Sequence, residues 1–256
     1  MKYDLHVHSD LSDGSLNKYE IGQLAKKKKL SVIAFTDHNK YSDVDLEIPV
    51  IKAIELDCED FLSFHLLMYF NEYTDKIDDL VCKYKNEVTN KTIELIKNIK
   101  KHHGISISIE KFGYPITKRD IIDYLLEHKY AKSIDEVSRL YTGKRSVSYV
   151  KKYSLTYEEV TKLDKKNVSL ILAHPTSLNL NPEEEEKFIL NLIEKGLDGL
   201  EVYNSSKMNR EQIMRYLGLA KKYDLFTSSG SDFHSIENNT LGVENNFSKK
   251  LILKHI

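Results

Sequence analysis

The feature that most constrains this chain is a set of short apolar runs, rich in β-branched residues, each carrying a histidine or a carboxylate. Seven of them read as strands: KYDLHVHS (2–9), SVIAFTDH (31–38), IPVIKAIELDCE (48–59), SFHLLMYF (63–70), VSLILAHP (168–175), GLDGLEVYNS (197–206) and LFTSSGSDFH (225–234). Amphipathic helical stretches fall between several of them. One is expected from a Ser15 cap through Lys29, one is opened by Asn181-Pro182 and the acids at 183–186, and one covers 208–223. Strands alternating with helices predict an α/β fold on a largely parallel sheet. In a parallel barrel the C-terminal strand ends form one mouth where reactive side chains converge. The polar residues placed there are His6 and His8, Asp37 and His38, Glu55, His65, His174, Glu201, and Asp232 with His234. Within the first run, alternation places Asp4, His6 and His8 on one face and Tyr3, Leu5 and Val7 on the other.

Six of the ten histidines fall in this set. The other four have ordinary settings: His102 and His103 precede Gly104 at a helix C-terminus, His128 lies in an amphipathic helix, and His255 is in the tail. Gathering six imidazoles and several carboxylates in one place is costly without a cation. The pattern therefore predicts a metal site.

Bulk properties narrow the setting. A length of 256 residues, 41% hydrophobic and 30% charged, suits one large soluble domain or one domain carrying an insertion. No apolar run approaches the roughly 18 residues of a membrane span, so no membrane association is expected. The first strand begins at once, so no leader segment is expected. Cys58 and Cys82 form neither a CxxC nor a disulfide framework, which indicates a reducing, cytoplasmic setting. A formal charge of −1 provides no bulk attraction for nucleic acid or membrane, so an acidic ligand needs a local site. KKKK (26–29) and EEEE (183–186) read as solvated helix ends, and the glycines form no P-loop or GxGxxG pattern.

The motifs HVHS, DGS, FTDH, IE, AHP, GLEVYNS and GSDFH, in this order, resemble those of the PHP (polymerase and histidinol phosphatase) superfamily of metal-dependent phosphoesterases. The resemblance implies a distorted (β/α)7 TIM-like barrel with two or three divalent metals at its mouth. Carried over by position, His6, His8, Glu55 and Asp232 would hold a first metal. Glu55 would bridge to a second held also by His65 and His174, and Asp13, His38 and His234 would hold a third. Asp37, Glu201 and His234 are the candidates for orienting ligands or moving protons. Manganese is favoured by the family, with zinc or iron as alternatives.

Residues 71–166 interrupt the barrel, which is expected over 1–70 and 167–256. They read as a mostly helical insertion acting as a substrate cap, with Lys118, Arg119, Lys144 and Arg145 as candidates for gripping a second phosphate. This insertion, ending in YTGKRSVSYV, resembles the stand-alone PHP branch of 3′,5′-nucleoside bisphosphate phosphatases and a 5′→3′ exoribonuclease. It departs from that branch at TKRDII (117–122), where Asp120 stands at the place aligned with a family histidine. The expected activity is hydrolysis of a small phosphorylated substrate, a nucleotide or short RNA, with no obligate protein partner. Hydrolysis of histidinol phosphate or another metabolite is the alternative within enzymes. A non-catalytic metal-binding regulatory barrel is the alternative outside them.

Overall fold

The computed structural model describes residues 1–204 and 208–256; Ser205 and Ser206, the end of the sixth expected strand run, lie outside the described residues. The elements are β1 (Lys2–Val7), α1 (Lys18–Lys27), β2 (Ile33–Phe35), β3 (Val50–Glu59), β4 (Ser63–Phe70), α2 (Asp75–His103), α3 (Lys118–Glu127), α4 (Ile134–Val137), β5 (Leu155–Thr156), α5 (Tyr157–Thr161), β6 (Val168–Leu172), α6 (Pro182–Glu194), β7 (Gly199–Asn204), α7 (Arg210–Lys222), β8 (Phe226–Gly230), β9 (Val243–Glu244) and α8 (Lys249–His255). All seven expected strands form, and two short ones, β5 and β9, join them. α6 starts where Asn181, Pro182 and Glu184 dictate, with a reciprocal capping box. α1 starts later than expected. Asn17 caps it and Glu20 completes the box, while Ser15 N donates instead to His234 O at 2.8 Å. None of the helices among the described residues is long and apolar enough to cross a membrane.

The chain divides into two compact units, Met1–Asp78 with Leu155–Ile256, and Asp79–Ser154. In the first, the strands form a sheet in the order β8-β7-β6-β4-β3-β2-β1-β9, with β5 beside β3. β1 and β8 approach each other at the ends of this path: Val7 bridges to Phe233, and His8 N donates to Phe233 O at 2.8 Å. Gly230 makes the approach possible, because a Cβ there would sit 2.3 Å from His6 Cβ. The result is a nearly closed barrel.

Two expectations are corrected. The sheet is largely parallel as expected, but β4 runs antiparallel to both β3 and β6, so not every polar residue lies at a C-terminal strand end. The Asp60–Leu62 link is a hairpin loop, too short for the crossover that a parallel partner requires. His65 therefore reaches the mouth from the start of its strand rather than the end. Nor does β1 alternate strictly. Tyr3 and Leu5 pack in one core cluster with Ala34, Ala53, Leu67, Tyr69 and Ile171, whereas Val7 packs with Ile21 and Ala25 of α1. The β1–β2 register shifts between Asp4 and Val7, so the strand changes face there and both Leu5 and His6 serve the barrel interior. Side chains serve the backbone at this irregularity: Tyr69 OH donates to Leu5 O at 2.8 Å, and Val7 N donates to Thr36 Oγ1 at 3.1 Å.

The second unit builds its own core from Leu95, Ile96 and Ile99 of α2, Ile121 and Leu125 of α3, Val137 of α4 and Tyr141. α4 continues into a π-helical turn, Ser138–Thr142, closed by Gly143 N donating to Ser138 O at 2.7 Å. Leu155 onward belongs with the barrel, because β5 pairs in parallel with β3.

α8 places His255 between Asn71 Oδ1 and Ser169 Oγ, each 2.9 Å from a ring nitrogen. Burial, with Lys254 nearby, lowers its pKa to about 4. The unfolded chain takes up this proton near the ordinary 6.5 and the folded chain only near 4, so the fold loses stability as pH falls through that window. Thermal unfolding at pH 7.5 and pH 5.0 should show a smaller loss of Tm for His255→Gln than for the parent chain; equal losses would mean that His255 is not held neutral.

Candidate metal centre

The HVHS run delivers His6 and His8 from the end of β1 and then turns sharply. Ser9 O accepts from Ser12 N at 3.1 Å and from Gly14 N at 2.9 Å. Only glycine fits at 14, since a Cβ would lie 2.4 Å from His8 O. The turn brings Asp13 back over the mouth, where its Oδ1 lies 3.5 Å from His8 Nδ1 and its Oδ2 lies 3.3 Å from His234 Nε2. Asp37 holds the turn: its carboxylate accepts from Ser9 N (2.7 Å), Ser9 Oγ (2.9 Å) and Ser12 Oγ (2.8 Å), with Lys18 Nζ 3.4 Å away.

Glu55 is the hub. It is 1% exposed; its Oε2 lies 3.3 Å from His6 Nε2, 3.1 Å from His8 Nε2 and 3.5 Å from His38 Nδ1. Its Oε1 lies 3.0 Å from both His65 Nδ1 and His174 Nε2. Asp232 Oδ1 adds a second carboxylate, 3.4 Å from His6 Nε2 and 3.3 Å from His8 Nε2. Donor atoms within 4.8 Å of one another gather in overlapping sets: His8, Asp13, His38 and His234; His6, His8 and Asp232; His6, Glu55 and His174; and His38, Asp57 and His65.

Two of the contributing residues occupy backbone conformations rare for side-chain-bearing residues, His174 at φ 24° and Asp232 at φ 55°. The second is clamped by Asn239, whose Nδ2 donates to Ser231 O at 2.8 Å and to Asp232 O at 2.6 Å.

The residues fit divalent cations on two grounds. Both ring nitrogens of His8 and Nδ1 of His38 are buried without a hydrogen-bond partner, although carboxylate oxygens lie within 3.5 Å of each. In three other histidines one ring nitrogen is engaged by the protein and the second faces the centre. His6 Nδ1 meets Glu201 Oε1 at 3.0 Å, His174 Nδ1 meets Ser177 Oγ at 2.9 Å, and His234 Nδ1 meets the Asp232 carbonyl at 2.9 Å. Histidines that ligate metals are characteristically held in this way.

The charges are mutually dependent. Burial presses the His6 pKa down, but Glu201, Glu55 and Asp232 together hold it well above the ordinary value. Against the same pressure of burial, Asp232 and Glu55 raise His8 to about 9, and Asp57 and Glu55 raise His65 to about 9. Burial pushes the Glu55 and Asp13 carboxyls up, and the surrounding imidazoles more than reverse it, holding Glu55 well below the carboxylate range and Asp13 at about 2. His38 goes the other way, lowered by burial. His6, His8 and His65, held toward their protonated forms, would each have to give up a proton to take a cation.

The sequence-derived residues divide clearly. His6, His8, Asp13, His38, Glu55, His65, His174, Asp232 and His234 come together, and Glu201 lies behind His6, also accepting from His174 N at 2.6 Å. Asp37 has its oxygens committed to the turn. In the second unit, Lys118 Nζ donates to Thr142 O at 2.9 Å, and Arg119 Nε donates to Asp123 at 2.8 Å. Lys144 and Arg145 are exposed beyond Gly143. Asp120 completes the capping box of α3 with Thr117, which accounts for its presence in TKRDII. Four contributors escaped the sequence reading: Asp57, Asn39, Ser177 and Asn239. Asp57 alone carried a signal, lying two residues from Glu55 on the same strand face.

Asn239→Ala removes two donors from the Asp232 turn. It should cost about 1–3 kcal/mol in thermal unfolding and weaken manganese binding by about 10–100-fold in a calorimetric titration. Undiminished manganese affinity would show that the clamp does not position Asp232.

Comparison with known proteins follows the same lines. A family model described as PHP domain matches residues 4–200. A 5′-3′ exoribonuclease of Haemophilus influenzae is 24% identical over 91% of this chain and 90% of its own length. The 5′-3′ exoribonuclease Rnm of Escherichia coli is 24% identical over 91% and 85%. Among solved structures, a putative metal-dependent phosphoesterase of Bifidobacterium adolescentis superposes with a TM-score of 0.77 at 22% identity, covering 99% of this chain and 96% of that one. An amidohydrolase of Chromobacterium violaceum gives a TM-score of 0.77 at 18% identity, covering 98% and 96%. The chain belongs to the PHP domain family, and with it to the metal-dependent phosphoesterases that its strand-end motifs resemble.

Proposed function

We propose that this phosphoesterase hydrolyses the phosphate esters of small nucleotides, 3′,5′-bisphosphates first among them, and shortens RNA from its 5′ end. The single observation that carries the reading is the Glu55 hub, a buried carboxylate with five imidazoles around it and Asp13 and Asp232 beside them. The names of relatives spanning nine-tenths of the chain support the choice of nucleic-acid substrates.

In this reading His6, His8, Glu55 and Asp232 hold one cation, Glu55, His65 and His174 a second, and Asp13, His38 and His234 a third, with manganese favoured over zinc or iron. Bound divalent cations would supply Lewis-acid polarisation of phosphate oxygens and acidify water near neutral pH. Three carboxylates and six neutral imidazoles around three such cations would leave an excess of about +3, which would favour a multiply charged phosphate on a protein that is otherwise near neutral. Glu55 turns Oε2 to His6, His8 and His38 and Oε1 to His65 and His174. Glu201 holds the His6 ring from behind, so that Nε2 faces Glu55 and Asp232. Asp37 fixes the turn that carries Asp13 and has no oxygen to spare for proton transfer. His234, with Nδ1 turned to the Asp232 carbonyl, offers Nε2 beside Asp13. Of the basic candidates in the second unit, Lys144 and Arg145, exposed beyond Gly143, are the first to vary for a role in binding a second phosphate.

Metal-stripped protein supplied with manganese should release phosphate from adenosine 3′,5′-bisphosphate and degrade short 5′-phosphorylated RNA, and Asp232→Ala should lose about 100-fold or more of both activities. No release from the bisphosphate by protein that demonstrably binds manganese would remove this substrate class. Paired Lys144→Ala and Arg145→Ala substitutions should raise KM for the bisphosphate more than for a monophosphate; equal changes would rule out that role.

A further inference from the structure

The centre contains a carboxylate that the three cation positions proposed above leave out, although it shares a donor set with His38 and His65. Asp57 stands two residues beyond Glu55 on β3 and directly opposite His65 in the antiparallel β3–β4 register. It is 5% exposed, and its Oδ1 lies 3.0 Å from His65 Nε2. Its other oxygen accepts from Asn39 Nδ2 at 3.0 Å, while Asn39 Oδ1 accepts from Asp57 N at the same distance. Asn39 is itself 2% exposed, adopts φ 51°, and donates its backbone N–H to Glu55 O at 2.8 Å. One asparagine thus grips the backbone of the hub residue, the backbone of Asp57 and the carboxylate of Asp57.

Burying a carboxylate here is costly unless its oxygens are served. The contact with His65 has a geometric consequence. With Nε2 turned to Asp57, His65 must present Nδ1 to Glu55 Oε1, the oxygen it shares with His174 Nε2. His6, His174 and His234 show the same division of labour between their two nitrogens, with Glu201, Ser177 and the Asp232 carbonyl in the part that Asp57 takes here.

We propose that Asp57 is a positioning residue for the metal centre: held by Asn39, it accepts from His65 Nε2 and so fixes Nδ1 as the nitrogen that His65 turns toward Glu55. This deepens the metal-centre reading and rests on it. Asp57 does not itself bind a cation; it orients the ring that does and makes that ring a stronger donor.

The test uses the full chain and the variants Asp57→Ala, Asp57→Asn and Asn39→Ala, each checked for folding by circular dichroism. Manganese titration followed by electron paramagnetic resonance reads stoichiometry and affinity. The ¹⁵N spectrum of histidine-labelled, zinc-loaded protein reads the protonated ring nitrogen of His65, its signals assigned by their loss in His65→Gln. Asp57→Ala should keep the number of manganese ions bound, weaken the affinity of one site by about 10–100-fold and lose the Nε2–H signature of His65. Asp57→Asn, which keeps an oxygen acceptor without the charge, should fall between, and Asn39→Ala should shift affinity in the same direction. If Asp57→Ala does not fold, the other two variants carry the test. Loss of one bound manganese would overturn the proposal by making Asp57 a ligand, as would unchanged affinity with an unchanged His65 spectrum. Failure of the parent chain to bind manganese or zinc would instead sink the metal-centre reading beneath it.

Discussion

One buried carboxylate organises this molecule. Glu55 is fully enclosed and faced by five imidazoles from four different strands and their following turns. A lone ionised carboxylate at such a depth is severely unfavourable, and a cluster of imidazoles is scarcely better. Together they are tolerable, and cations at their centre satisfy both. The barrel walls are laid out so that these groups meet. Where regular geometry would prevent the meeting, the chain departs from it: β1 changes face before His6, Gly230 lets β8 approach, and Asp232 takes a left-handed backbone held by Asn239.

The second layer of side chains is as specific as the first. Glu201, Ser177, Asp57, Asp37 and Asn239 do not crowd the centre; each holds a ring or a turn that does. Their common effect is to remove freedom from histidines and from the Asp13 turn before any ligand arrives. Preorganised groups then act on charge without reorganising at the moment of reaction.

Much of this was legible in the chain because strand alternation and motif spacing are local properties. Eight of the nine gathered residues lie in the strand runs, while Asp13 and the choice of the nine rested on the family resemblance; the helix start at Asn181 follows from capping chemistry within four residues. The antiparallel course of β4 was missed, although the three residues that link it to β3 cannot carry a crossover. The face change in β1 was not legible, because it arises from barrel closure against residues more than 200 positions away. Asn39 and Asn239 were invisible for a related reason. Loop asparagines carry no periodic signal, and their work is defined by backbone atoms brought to them by the fold. Lys118 and Arg119 show the converse, being conspicuous as charges but already answered by Thr142 and Asp123.

The pairing of β1 with β9 and its approach to β8 bear on the order in which the chain can be assembled. Lys2 pairs with Glu244, and Asp4 binds Ser231 and Gly242 near the other end of the sequence. During synthesis one side of β1 can pair with β2 soon after it is made, whereas its other side waits for partners more than 200 positions later. The β3–β4 hairpin and the core of Asp79–Ser154 have their partners close in sequence and can form early. The HVHS segment therefore keeps one open side until β8 and β9 are made, and the centre it initiates is incomplete before Asp232 and His234 join it.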